Sequence, residues 1–342
     1  NLGKAEPIPA PMQDSISYLA AIVRGEVLPS GPSSLKVNMI ATEILDAARR
    51  SAERGVAIPL ADVTPPSGFK PLFDYPVRDT CVCSVGGVYY LTGTTGAPTW
   101  WKTNEGIRIW KSKDLATWEP LGLVWSFEKD ATWQKPVVDG KRAIWVPELH
   151  HIKGTFWLAY CVNYPGGGTG LLKSTSGKAE GPYVDVRPDG PLTKDIDASL
   201  FQDDDGSVYF VYQNGRIARM KDDMTGLAEE PRLLKPANAD YVGFEGAFLF
   251  KVDGRYYLSC AEFIGEQYHC MLASAPTVDG PWSDRHLAVL HGGHNMFFKD
   301  AHGRWWSTFF GNSGDAPFRE RPGILRVDFA DDGRLRPVPG CR

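Results

Sequence analysis

Long apolar runs are absent from this chain, and no stretch approaches the roughly 18–20 apolar residues that a helix needs to span a bilayer. Cysteine is scarce. Six in 342 residues (Cys81, Cys83, Cys161, Cys260, Cys270 and Cys341) are too few for a disulfide-stapled scaffold. No Cys-x-x-Cys pair occurs, which argues against a zinc site. Cys81 and Cys83 point to the same face of a strand and are poorly placed to bridge each other, so the cysteines read mostly as small buried hydrophobes. A large excess of charge is also missing: a net charge of −4 favours neither nucleic acid nor an anionic membrane surface. Gly166-Gly167-Gly168 is followed by Thr169-Gly170 and not by Gly-Lys-Ser/Thr, so it is a hairpin connection and no phosphate loop.

What the chain has in quantity is aromatic side chains, 12% of residues with 11 Trp, in an otherwise ordinary globular composition. They recur in a pattern. A glycine turn followed by aromatic and β-branched residues appears as Val-Gly-Gly-Val-Tyr-Tyr-Leu at 85–91 and Ile-Lys-Gly-Thr-Phe-Trp-Leu at 152–158. It returns as Asp-Asp-Gly-Ser-Val-Tyr-Phe at 204–210, Val-Asp-Gly-Arg-Tyr-Tyr-Leu at 252–258 and Ala-His-Gly-Arg-Trp-Trp-Ser at 301–307. The turn glycines Gly87, Gly154, Gly206, Gly254 and Gly303 are 67, 52, 48 and 49 residues apart. A period near 50 built from short strands predicts an all-β fold, a five-bladed β-propeller with one four-stranded sheet per blade. The glycine suits a tight hairpin that needs positive φ, and the residues after it suit a half-buried pleated strand.

Upstream of the five glycines stand Asp79, Glu148, Asp197, Glu245 and His294, at offsets of eight, six, nine, nine and nine residues. Each alone has a plain structural explanation as a turn cap or a satisfied core group. The first strand of every blade lines the channel, so residues at its start converge on one end of the axis. Several carboxylates gathered there would repel one another, an arrangement costly for stability alone. Asp195 competes for the third slot, but the nine-residue offset favours Asp197.

Residues 1–70 lack the repeat and read as a helical extension, with the propeller over 71–342. Pro7, Pro9 and Pro11 give an extended start and a first helix is expected near 13–25. A second is expected after Ser33 or Ser34, with Val37, Ile40, Ile44 and Ala48 on one face and Gly55 at its close. These helices either pack on the propeller or form a homo-oligomer. The blades are expected at about 73–125, 143–190, 195–235, 241–290 and 292–338. The chain begins at Asn1, which a processed secretory signal or trimming would explain, so the expectation leans to a secreted or periplasmic protein and leaves the cytoplasm open.

Over roughly 73–338 the chain resembles glycoside hydrolase family 43. Arg78-Asp79 resembles the family's Arg-Asp-Pro, and Trp145-Val146-Pro147-Glu148 its Trp-Ala-Pro-Glu. Ile196-Asp197-Ala198-Ser199 resembles Ile-Asp-Pro-Ser, Phe244-Glu245-Gly246 resembles Glu-Gly-Pro, and Gly293-His294 a Gly-His element. The resemblance implies Asp79 as general base, Glu245 as general acid and Asp197 as the residue that tunes and orients the acid. It implies no cofactor for the chemistry, but a Ca²⁺ or Na⁺ on the axis near His294. It also implies an arginine late in blade five that contacts Asp197 and the sugar, with Arg321 preferred to Arg319. Glu148 and Arg321 would then bind substrate. Trp100 and Trp101 would form an aromatic wall, unless they only pack the loop. Thr80, Ala198 and Ala247 stand where the family commonly has proline. The N-terminal helices resemble those of the related family 117, which acts on anhydrogalactose.

The resemblance implies an inverting, exo-acting glycoside hydrolase that releases terminal α-L-arabinofuranosyl or β-D-xylosyl units from an oligo- or polysaccharide. A galactose-type, anhydrogalactose or other furanoside substrate is the first alternative, and a non-catalytic sugar-binding propeller the second. A fructan-cleaving propeller is disfavoured, since no Asn-Asp-Pro-Asn segment occurs. An acid at Glu245 must carry its proton near neutrality, which burial and the neighbouring Asp197 would favour.

Overall fold

A computed structural model describes residues 13–24, 26, 27, scattered positions from 38 to 52, and then 71–312, 316, 319–330 and 333–338. The chain divides into two compact units, Asn1–Ser67 and Gly68–Arg342. In the first, helix α1 spans Ser15–Val23. Asp14 caps it, with Oδ1 accepting from the N–H groups of Ile16 and Ser17, a contact worth about 1 kcal/mol. This is the helix expected near 13–25. The described positions of the second expected helix, between 38 and 52, are helical. Ser33, Ser34, Val37, Ile40 and Gly55 lie outside the described residues.

The second unit is a five-bladed propeller of five four-stranded sheets, each with its strands in sequence order. Blade one holds β1 (Arg78–Val85), β2 (Val88–Thr94), β3 (Gly106–Ser112) and β4 (Glu119–Ser126). Blade two holds β5 (Ile144–Ile152), β6 (Thr155–Val162), β7 (Gly168–Ser174) and β8 (Tyr183–Asp185). Blade three holds β9 (Ala198–Gln202), β10 (Val208–Tyr212), β11 (Arg216–Arg219) and β12 (Arg232–Leu233). Blade four holds β13 (Glu245–Val252), β14 (Arg255–Ile264), β15 (Gln267–Ala275) and β16 (His286–Val289). Blade five holds β17 (Phe297–Lys299), β18 (Trp305–Phe309), β19 (Gly323–Phe329) and β20 (Leu335–Pro337). The aromatic residues after each turn glycine fill the spaces between blades. Tyr89 meets Phe298 across blades one and five, Tyr90 meets Phe156 across one and two, Tyr256 meets Phe201 across four and three, and Trp305 meets Phe250 across five and four. Five described cysteines are free thiols and four of them are buried; Cys341 lies outside the described residues. Among the described residues no helix is long and apolar enough to cross a membrane.

All five turn glycines have positive φ, between 75° and 85°, as the tight hairpins require. The hairpins are of two lengths. In blades one, two and four the strands pair up to Val85↔Val88, Ile152↔Thr155 and Val252↔Arg255, which leaves two-residue turns. In blades three and five a longer turn is closed by Asp203 with Ser207 and by Asp300 with Arg304. The extra residue moves the glycine one place further from the start of its strand.

Among the described residues no strand is shared between the two ends of the ring. Closure is made by Leu72 N–H to Pro322 O (2.8 Å), Val77 N–H to Glu320 O (3.1 Å), Ala301 N–H to Tyr89 Oη (2.8 Å) and Thr308 Oγ1 to Thr80 O (2.6 Å).

Candidate active site

At or just before its innermost strand, each blade has one residue in the left-handed region: Asp79 (φ 51°), Val146 (50°), Asp197 (61°), Gly246 (64°) and His294 (53°). For a residue other than glycine this costs about 1–2 kcal/mol, and aspartate and histidine tolerate it better than most. These five are the true repeat. Each lies eight residues before its glycine where the turn is short, and nine where it is long. The expected register therefore needs correction in two blades. Glu245 lies one residue before the repeating position and Glu148 two after it, so their carboxyl groups do not share a level with Asp79 and Asp197.

The pocket nevertheless brings four of the expected groups together. His294 Nδ1 lies 3.7 Å from Asp79 Oδ1 and 3.9 Å from Asp197 Oδ2. One ligand atom each from Asp197, Glu245 and His294 lies within 4.8 Å of the other two. Thr94, the cross-strand partner of Arg78, donates from its hydroxyl to Asp79 Oδ2 at 2.6 Å. The same hydroxyl accepts the Val146 N–H at 2.8 Å, a use for the strained backbone there. Tyr268 donates to Glu245 Oε1 at 2.7 Å. Gly246 N–H approaches Asp197 Oδ2 at 3.3 Å. Asp195 belongs to a turn instead, where Thr193 donates to its carboxylate.

Burial pushes the Asp197 carboxyl up to about 7; Glu245 and Asp79 push the same way, and His294 partly offsets them. Burial pulls the His294 imidazole down, but Asp197, Asp79, Glu245 and Glu148 together outweigh it, and its value ends above the usual one. Burial likewise lifts the Tyr268 phenol far above its ordinary range, with Glu245 adding to it, so the hydroxyl remains a donor.

Other expected residues stand elsewhere. Arg321 pairs with Asp74 at 2.8 Å and not with Asp197; its loop carries it to the ring closure. Glu148 is buried against His150 Nε2 at 3.1 Å. Trp100 lies under the Arg78 guanidinium, 3.7 Å from the ring centroid, and 6.2 Å from the Trp145 ring. Trp101 is 45% exposed, with the Lys102 ammonium over its ring. Arg78, directly before Asp79, bonds Glu320 Oε1 at 3.0 Å and Asn312 Oδ1 at 2.7 Å. Its position in the sequence was the available signal. Nothing local pointed to Thr94 or Tyr268, which reach their partners across strands.

Two buried polar atoms of adjacent residues, the His294 Nε2 nitrogen and the Asn295 Oδ1 acceptor, have no hydrogen-bond partner among the described residues. Of the two, only the amide oxygen suits a hard cation directly, and the imidazole nitrogen could meet a Ca²⁺ or Na⁺ only through an ion-bound water.

Gly246 leaves no space for a side chain. A Cβ there would lie 2.9 Å from His294 Cγ and 3.1 Å from Nδ1. Gly246→Ala is expected to lower stability by about 1–3 kcal/mol and to lower turnover further by displacing His294. Thermal melts beside kcat, measured well below the melting temperature, check this; unchanged turnover would count against the packing.

The family model described as "Glycosyl hydrolases family 43" matches residues 70–335. A putative beta-xylosidase of Escherichia coli (strain K12) is 26% identical over 78% of this chain and 54% of its own length. The chain thus spans about half the length of that relative. The extracellular exo-alpha-(1→5)-L-arabinofuranosidase ArbA of Cellvibrio japonicus (strain Ueda107) is 24% identical over 67% of this chain and 72% of its own. A beta-D-galactofuranosidase of Aspergillus niger is 29% identical over 55% of this chain and 60% of its own. Among solved structures, the GH43_1 enzyme of Xanthomonas citri superposes with a TM-score of 0.66 at 18% identity, over 79% of this chain and 94% of its own. That likeness concerns the fold.

Proposed function

The chain belongs to glycosyl hydrolases family 43, and from that membership we propose that it is an inverting, exo-acting glycoside hydrolase releasing terminal α-L-arabinofuranosyl or β-D-xylosyl units from a polysaccharide. The observation that carries the reading is the grouping of Asp79, Asp197 and Glu245 around His294, with Asp79 and Glu245 held from different blades.

Cleavage needs a proton on the departing oxygen and a nucleophile at the anomeric carbon. Glu245 supplies the proton as the anomeric C–O bond breaks. Asp79 takes a proton from the attacking water, whose oxygen forms the new bond. Proton exchange with solvent then restores both carboxyls. Tyr268 donates to one Glu245 oxygen and leaves the other to carry the proton. Burial, with the nearby Glu245 and Asp79 carboxylates, keeps the proton on Asp197 up to about pH 7, and Asp197 stands beside Glu245 to orient it. Thr94 holds the Asp79 carboxylate in place for the water. Blades one and four face each other across the funnel, with blade five between them, which supports a water-mediated inversion.

The named relatives favour xylosyl or arabinofuranosyl units. A galactofuranosidase among them keeps a galactose-type furanoside as the second reading, an anhydrogalactoside being the variant suggested by the presence of an extension before the propeller. A sugar-binding propeller without catalysis accounts poorly for three carboxylates in one pocket. An axial Ca²⁺ or Na⁺ at His294, export from the cytoplasm and self-association through residues 1–70 belong to the same proposal. The test is sugar release from plant and algal polysaccharides, with the anomer of the first product read by NMR. One monosaccharide of inverted configuration is expected. Retained configuration would overturn inversion, and no release from any substrate would overturn the hydrolase reading.

A further inference from the structure

Blade four is built differently at the pocket rim. In blade four the first strand starts at Glu245, paired with Ala261, but β14 and β15 run on together through Glu262↔His269, Phe263↔Tyr268 and Ile264↔Gln267. Three further residues carry the hairpin about 10 Å beyond the level of Glu245. In the other four blades, β2, β6, β10 and β18 give way to loops at this end. The overhang is anchored on one face, where Glu262 pairs with Arg285 at 2.9 Å and Arg285 also bonds Val242 O.

The opposite face carries Phe263. Its ring lies 4.9 Å from the Tyr268 ring, whose hydroxyl donates to Glu245, and it stacks on Phe244 at 5.7 Å with 16° between planes. Phe244 directly precedes Glu245. Phe263 is nevertheless 48% exposed and its neighbour Ile264 46%. A rigid aromatic plane, half in solvent, therefore stands beside the catalytic acid. The group beside an acid in glycoside hydrolysis is the departing one, because the acid protonates its oxygen. A sugar ring presents a face of C–H bonds that stacks on such a plane.

We propose that Phe263, backed by Phe244, is the stacking platform for the leaving-group sugar and sets a preference for sugar over small leaving groups. This rests on the hydrolase reading above. The step is the one already described: the glycosidic C–O bond breaks, Glu245 gives its proton to the leaving oxygen, and that alcohol is the hydroxyl of the ring on Phe263.

The experiment compares the parent with Phe263→Ala, Phe263→Leu and Phe263→Trp on β-1,4-xylobiose and α-1,5-arabinobiose, and on the corresponding glycosyl fluorides, whose leaving group has no ring. Phe263→Ala and Phe263→Leu are expected to lower kcat/KM on the disaccharide about tenfold and to leave the fluoride within about twofold. Phe263→Trp should restore most of the loss. Equal losses on both substrates, or none on the disaccharide, overturn the platform. Calorimetric binding in the Glu245→Gln background keeps the two readings apart. If the parent cleaves nothing, the hydrolase reading falls. The platform then stands if Phe263→Ala weakens disaccharide but not monosaccharide binding, and falls if it does not.

Discussion

Glu245→Gln is expected to lower kcat on a disaccharide by about 10²–10⁴-fold, the usual range for a positioned proton donor. The amide fills the same space and can still accept the Tyr268 hydroxyl, so the fold should be untouched. It has no proton to give to an alkoxide. A glycosyl fluoride needs little acid assistance, so its turnover should fall far less. Asp79→Asn should behave differently. Thr94 can still donate to the amide oxygen, but nothing accepts the water's proton, and both substrates should lose activity together. Steady-state rates on the two substrates check the assignment. Equal effects of Glu245→Gln on both would remove it from the acid role.

Asp197→Asn is expected to change the pH dependence of stability as well as the rate. Folding raises the Asp197 carboxyl from 3.8 to about 7, because burial disfavours its charged form. The folded protein therefore binds this proton more tightly than the unfolded chain. The contribution is complete below about pH 4 and is lost as the pH climbs through 7, a span on the order of 4 kcal/mol. His294 has the same sign, since its folded value is also raised and its contribution is lost as the pH rises from the ordinary histidine value through the folded one. Asparagine cannot ionise. The variant should lose less stability between pH 4 and 8 than the parent and melt higher at pH 8, while turning over more slowly. Melting temperatures across that range decide it. Parallel curves for parent and variant would show that Asp197 does not hold its proton more tightly in the fold.

The propeller was legible because its signal is periodic. Five glycine turns with aromatic strands give blade number and spacing, and the observed sheets fall inside the expected blades to within a residue. The pocket was legible where chemistry and position coincide, as at Asp79, Asp197 and His294, whose side chains sit on the repeating backbone position itself. Offsets from the turn misplaced Glu245 and Glu148, because turn length differs between blades and cannot be read from the glycine alone. Arg321 was misplaced for a related reason: its loop, around 311–322, has no repeat to fix it. Thr94 and Tyr268 were missed because strand pairing, not sequence distance, brings them to the carboxylates.

The ends of the ring meet without a common strand, and the join has a functional side. Asp79 stands on one bank of that join and His294 on the other, while Arg78 reaches across it to Glu320. The base is therefore in register with the rest of the pocket only while the circle is shut. Catalysis in this molecule doubles as a gauge of circular integrity: a slackened ring can keep every sheet and still be silent.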